Sequence, residues 1–71
     1  MRNRSLIRVL AILRRLEGGE RVTLARLAEE HGVHQRTIRR DLAALEAAGV
    51  PLGHVPETEE GEGRFWWMVR L

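Results

Sequence analysis

The sequence predicts an α+β fold, three helices followed by a C-terminal β-hairpin, forming one domain over residues 1–71. Three observations predict it. Apolar residues recur with helical spacing in three successive segments before residue 48. Glycines at Gly18-Gly19, Gly32 and Gly49 stand where those segments end. Beyond Gly49 the pattern changes to alternation on either side of an acidic, glycine-containing loop.

A chain of 71 residues holds one domain with a modest core. With 44% apolar and 31% charged residues it has a globular rather than a disordered composition. Cysteine is absent, which removes disulfides, thiolate metal sites and cysteine nucleophiles together and fits a reducing compartment. The longest apolar run, Phe65 to Val69, is too short to cross a membrane. Arg8, Arg14 and Arg15 interrupt the stretch behind the basic N-terminus, so no signal peptide is expected, and the expected location is cytoplasmic.

The first helix is placed at about 5–17, with Ser5 as N-cap and Gly18-Gly19 as its stop. Leu6, Val9, Leu10, Leu13 and Leu16 make its apolar stripe, with Arg8, Arg14 and Arg15 away from it. Glu20-Arg21-Val22 is a connector with room for one brief strand. Thr23 caps a second helix, 24–31, with Val22 and Leu27 spaced as a hydrophobic staple. Leu24, Leu27 and Ala28 give its buried face, and Gly32 ends it. After the short turn Gly32-Val33-His34, a third helix runs over 35–48 with Ile38, Leu42 and Leu45 inward. Two helices joined by about three residues that include a glycine form the outline of a helix-turn-helix. The hairpin, about 52–71, then adds a wing: a strand from Leu52 to Val55, a loop from Pro56 to Gly63 and a strand from Arg64 to Leu71.

Charge is unevenly spread. Net charge is +2 and every one of the twelve basic residues is arginine. Residues 1–50 carry ten arginines and six acids, a balance of +4, while residues 51–71 carry two arginines and four acids, a balance of −2. Genomic base composition explains most of the missing lysine. Arginine also offers bidentate contacts to phosphate and guanine.

On a helical wheel with Ile38 inward, Gln35, Arg36, Arg39 and Arg40 occupy the outward N-terminal half of the third helix, with Thr37 on the other flank. The DNA major groove admits one helix, reads guanine by arginine and adenine by glutamine, and favours phosphate near the helix amides. Ala43 and Ala47 are small enough to let the backbone approach. The bland reading is a solvated face, with Asp41 taking up some of the arginine charge; the tight glycine turn before it favours DNA.

These residues match a known pattern. Thr23-Leu24-Ala25-Arg26-Leu27-Ala28-Glu29-Glu30-His31-Gly32-Val33, then Arg36-Thr37-Ile38-Arg39-Arg40-Asp41-Leu42, then Leu45-Glu46-Ala47-Ala48-Gly49-Val50-Pro51-Leu52, resembles the N-terminal winged helix-turn-helix of DeoR-like and WYL-domain bacterial transcription regulators. The resemblance runs from about Leu6 to Met68 and implies site-specific DNA binding, with Arg36, Thr37, Arg39 and Arg40 facing groove or phosphate. It departs at His34, where the family usually places serine or threonine as cap. The family usually also carries a C-terminal effector or oligomerisation domain, whereas this sequence stops at Leu71; it is read as either a lone DNA-binding domain or a fragment, with such a domain or a separate protein as the candidate partner beside DNA.

The wing departs as well. Glu57, Glu59, Glu60 and Glu62 surround its tip and would be repelled by a polyanion, leaving Arg64 as the nearby cation. In the last strand Phe65, Trp67, Val69 and Leu71 share one face and are expected inward, because Arg64 and Arg70 flank the other. Trp66 and Met68 are then expected to be partly exposed and to mark an interface. The candidate DNA-binding residues are thus Thr23, His34, Gln35, Arg36, Thr37, Arg39, Arg40 and Arg64. One short helix reads few base pairs, so a homodimer on double-stranded DNA is expected. His31 and His34 lack further metal ligands, no glycine loop has phosphate-cradling spacing, and no nucleophile stands beside a base; no cofactor, metal or catalysis is expected. The alternative is a winged helix used for protein–protein contact, and a third reading is RNA or nonspecific nucleic-acid binding.

Overall fold

A computed structural model describes residues 3–55 and 65–69. The element order is α1 (Arg4–Glu17), β1 (Val22–Thr23), α2 (Leu24–His31), α3 (Gln35–Ala47), β2 (Leu52–Val55) and β3 (Phe65–Met68). The three strands form one antiparallel sheet in the order β1-β3-β2. Three helices with this sheet are the expected α+β, winged-helix architecture.

The junction of β1 and α2 shows how few residues are needed to tie sheet to helices. Thr23 has extended backbone, and its Oγ1 accepts from the Arg26 amide at 3.1 Å, capping α2. Val22 and Leu27, spaced as a staple, are both in the core. Gly32 closes α2 with φ +64°, a left-handed conformation that disfavours any residue with a Cβ. That turn sends α3 off after only Val33 and His34.

The core joins Ile12 and Leu16 of α1, Val22 of β1, Leu24, Leu27 and Ala28 of α2, Ile38, Leu42 and Leu45 of α3, and Trp66 of β3. Val9, Leu13, Val33, Val50, Leu52 and Met68 pack partly against it.

Helix α1 differs from expectation at both its start and its face. Its N-cap is Asn3, whose Oδ1 accepts from the Leu6 amide at 2.8 Å, so the helix begins before Ser5. Its inward direction is set by Ile12 and Leu16, both fully buried. Leu10 lies two residues from Ile12, about 200° around the helix, so Leu6 and Leu10 of the expected stripe turn outward, 52% and 48% exposed. Ile7 is 67% exposed. The helix is apolar over two overlapping stripes, and only one of them is buried among the described residues.

The last strand is inverted relative to expectation. Trp66 pairs with Val22 of β1 and with His54 of β2, and Met68 pairs with Leu52. Opposed residues in an antiparallel pair point to the same side. The buried Val22 therefore carries Trp66 into the core, where it is 7% exposed, and Met68 packs against that core. Trp66 is therefore not the partly exposed residue expected, while Met68 is half-buried on the core side of the sheet. Phe65 and Trp67 face outward with Gly53, Val55 and Thr23. Arg64, Arg70, Leu71 and the acidic loop 56–63 lie outside the described residues.

Gly53 has a packing reason. It stands opposite Trp67, and a Cβ there would come within 2.9 Å of Trp67 Cε2 and Cζ2. The indole lies flat over the glycine, and the Arg21 guanidinium sits 5.4 Å from its ring centroid. Gly53→Ala should push the ring off the strand and cost about 1–2 kcal/mol. Urea unfolding followed by circular dichroism checks this; an unchanged midpoint would show that the ring yields freely.

Candidate nucleic-acid interface

The exposed side of α3 follows from the three residues that it buries. Ile38, Leu42 and Leu45 anchor the helix in the core, which leaves Gln35, Arg36, Arg39 and Arg40 exposed, followed by Ala43 and Ala47. Thr37 is half-buried on the flank. This is the disposition expected from the wheel. His34, Arg36, Thr37 and Arg40 together line a shallow recess at the start of the helix.

That start is unusual in its hydrogen bonding. His34 has the extended backbone of an N-cap residue, yet its side chain makes no capping bond. Its carbonyl accepts from the Thr37 and Ile38 amides at 3.0 and 3.3 Å. The amides of the first turn ahead of them have no side-chain acceptor from the cap, and amides so placed are donors for an anion. They sit beside Arg36 and Arg40, so donors and positive charge converge on one recess.

The electrostatics of the face depend on Asp41. It is the acid nearest these arginines on α3, and its wheel position is only about 60° from Ile38. It is 6% exposed, and both carboxylate oxygens are taken by Arg8 of α1: Nε donates to Oδ2, and Nη2 donates to Oδ1 at 3.0 Å. The hydrogen bond to Asp41 raises the Arg8 pKa against the opposing effect of desolvation. The bland reading, in which Asp41 takes up charge from the α3 arginines, does not hold, because Asp41 pairs with Arg8. Among the described residues, Arg36, Arg39 and Arg40 carry no ion pair. Arg15, by contrast, is held by Glu20 and Glu30, each at 2.7 Å, which raises its pKa and lowers that of Glu20.

The remaining candidate residues are placed unevenly. Thr23 lies at the start of α2 with its hydroxyl oxygen engaged by Arg26, leaving the hydroxyl proton available to a phosphate. Trp66 is in the core beneath His54, ring centroids 4.4 Å apart, and its Nε1 is buried without a hydrogen-bond partner among the described residues. Arg64 is outside the described residues. The residue that sequence reasoning missed is Arg8. Its signal was Asp41 itself, since a carboxylate within the inward arc of a helix requires a cation from a neighbouring element.

A short glycine turn between two helices, with a three-stranded sheet behind them and an arginine face in front, defines a helix-turn-helix domain. The chain belongs to the HTH domain family, whose model matches residues 8–61. This is a class of DNA-binding domain found in transcription regulators. No curated protein and no solved structure matches the chain. Among the described residues, no helix is long and apolar enough to cross a membrane.

Two measurements test this account. Arg8→Met leaves a buried carboxylate unpaired and should cost about 2–3 kcal/mol, discounted from a fully buried pair for its partial exposure. Arg8→Met with Asp41→Leu should recover most of that loss in a double-mutant cycle by urea unfolding. Strict additivity would show that the two groups are not coupled. His34→Ser should supply the missing cap and raise stability by about 1 kcal/mol; thermal melts showing no gain would mean that the α3 amides are already satisfied.

Proposed function

We propose that this domain binds specific double-stranded DNA sites as a bacterial transcription regulator of the DeoR-like or WYL type, with α3 in the major groove. The observation that carries the reading is the set of three exposed arginines, Arg36, Arg39 and Arg40, that stay free of ion pairs among the described residues because Asp41 is turned inward to Arg8. Arg36 and Arg40 suit bidentate contact with guanine, and Gln35 suits adenine. Arg39, at the border of the face, suits phosphate, as do the α3 amides behind His34 and the neighbouring Thr37. Thr23, at the capped start of α2, is assigned a further phosphate, and Arg64 the backbone beside the wing. The protein acts in the cytoplasm, on a site with half-site symmetry, as a homodimer. A C-terminal effector domain or a separate protein would supply regulation. No cofactor and no catalytic step enters this reading.

A role confined to protein–protein contact was expected from the modest net charge, the acidic wing and an exposed Trp66, and Trp66 is in the core, which removes one of these supports. DNA reading is therefore the better supported of the two.

Selection from random duplexes, with the unaltered domain and with Arg40→Ala at two salt concentrations, tests the proposal. We expect a recovered motif, and a loss of about 1–3 kcal/mol with relaxed preference at one base pair in Arg40→Ala. Weak, steeply salt-dependent binding without a motif would reduce the function to backbone contact. Absence of binding would overturn it.

A further inference from the structure

We propose that the recess between the start of α1 and the end of α2 seats a phosphodiester group of the DNA backbone, held by Arg4 and His31, so that the nucleic-acid interface continues off α3 and across the turn. The proposal rests on the DNA reading and extends it to a site next to the recognition helix.

The recess is lined by Arg4, Ile7, Arg8, His31, Gly32 and Val33, with no acid among them. Arg8 is engaged by Asp41, and Arg4 has no ion pair among the described residues. The acids of α2 are turned elsewhere. Glu30 is held by Arg15, and Glu29 lies about 200° around the helix from His31. An exposed arginine and a half-buried histidine thus line an opening with no carboxylate to neutralise it. Ile7 and Val33 beside them are apolar, and low-dielectric walls strengthen the attraction between a cation and an anion.

Helix geometry puts this recess beside the α3 site. Arg8 and Asp41 join α1 to α3. Arg4 stands one turn before Arg8, and Thr37 one turn before Asp41, each about 40° around its helix from the residue that it precedes. Arg4 and Thr37 therefore both lie on the sides of their helices that meet at the bridge. Thr37 and His34 line the recess at the start of α3, while Arg4 and Val33 line this one. Val33 and His34 are neighbours in the chain, so the two recesses adjoin across the turn. Arg4 and His31 stand outside the helix that the groove admits, where contacts go to the backbone rather than to base edges.

The end of a helix ordinarily repels an anion through its open carbonyls. At the end of α2 the Gly32 and Val33 amides donate to the Glu29 and Ala28 carbonyls at 3.3 and 3.0 Å, which takes up two of those acceptors. His31, in the last turn, adds a donor on the same side.

The test uses the whole chain. Arg4→Ala is compared with Arg14→Ala, which alters an exposed arginine of the same helix about 15 Å further along its axis. Each variant removes one positive charge, and neither side chain is in an ion pair among the described residues. Losing a cation from the first turn of α1 suits the helix dipole, so Arg4→Ala does not weaken the fold. Across duplexes of different sequence, Arg4→Ala should lower affinity by a common factor and reduce the slope of log affinity against log salt by about one, while Arg14→Ala leaves that slope nearly unchanged. His31→Leu should also lower affinity, and by less once Arg4 is already alanine, because the two groups share one phosphate. On a duplex recovered by selection, single phosphates are replaced in turn by uncharged methylphosphonates. One position should matter to the unaltered chain and not to Arg4→Ala. A slope equal to that of Arg14→Ala, or the lack of any such position, overturns the proposal. Inorganic phosphate offers the same oxygens. If it shifts the His31 NMR signals, and Arg4→Ala abolishes that shift with duplex binding intact, the recess belongs to a free phosphate and the proposal is overturned. Failure of the unaltered chain to bind any duplex is a separate result, which removes the DNA reading and this extension with it.

Discussion

The opposition of Val22 and Trp66 is the contact from which the rest of this small fold is organised. Val22 must point inward because Thr23, next in the chain, is the cap of α2. Its cross-strand partner must then point inward too. That fixes the side of the sheet facing the helices, places Met68 and Leu52 beneath the core, and leaves Phe65 and Trp67 outside. A slip of one residue would exchange the two tryptophans and turn the whole strand over. In a domain with so few buried side chains, one large indole placed correctly is a considerable fraction of the core.

A second constraint governs charge. The α3 helix has to present arginines to solvent while keeping an acid close behind them. It does so by giving Asp41 to a cation from another helix, so that the carboxylate acts as a fastening between α1 and α3 rather than as a counter-ion to the outward face. Arg15 does comparable work at the other end of α1, joining it to Glu20 and to Glu30 on α2. These two fastenings are unequal: the Arg8 pair is sheltered, whereas the acids of the Arg15 pairs are nearly half exposed and count for less.

Helix periods, glycine stops and the cap at Thr23 were legible in the sequence because they are local: each depends on residues within one turn. The outward set on α3 was legible for the same reason, since three well-spaced apolar residues determine its inward direction. What was not legible depended on partners far along the chain. The parity of β3 was misjudged from its flanking arginines, when the deciding residue was Val22, more than forty positions earlier. The face of α1 was misjudged because the helix offers two apolar stripes, and periodicity alone does not say which one the fold uses. Arg8 was passed over because its partner lies 33 residues away.

The neighbouring tryptophans end in opposite surroundings, and this gives the molecule two built-in optical reporters. Trp66 is enclosed in the core, while Trp67 is half-buried on the outer sheet face with a guanidinium above it. A shielded indole emits further to the blue than one in contact with water. Replacing either residue by phenylalanine would isolate the emission of the other, so that loosening of the interior and events on the sheet surface could be followed as separate colours in a single unlabelled chain.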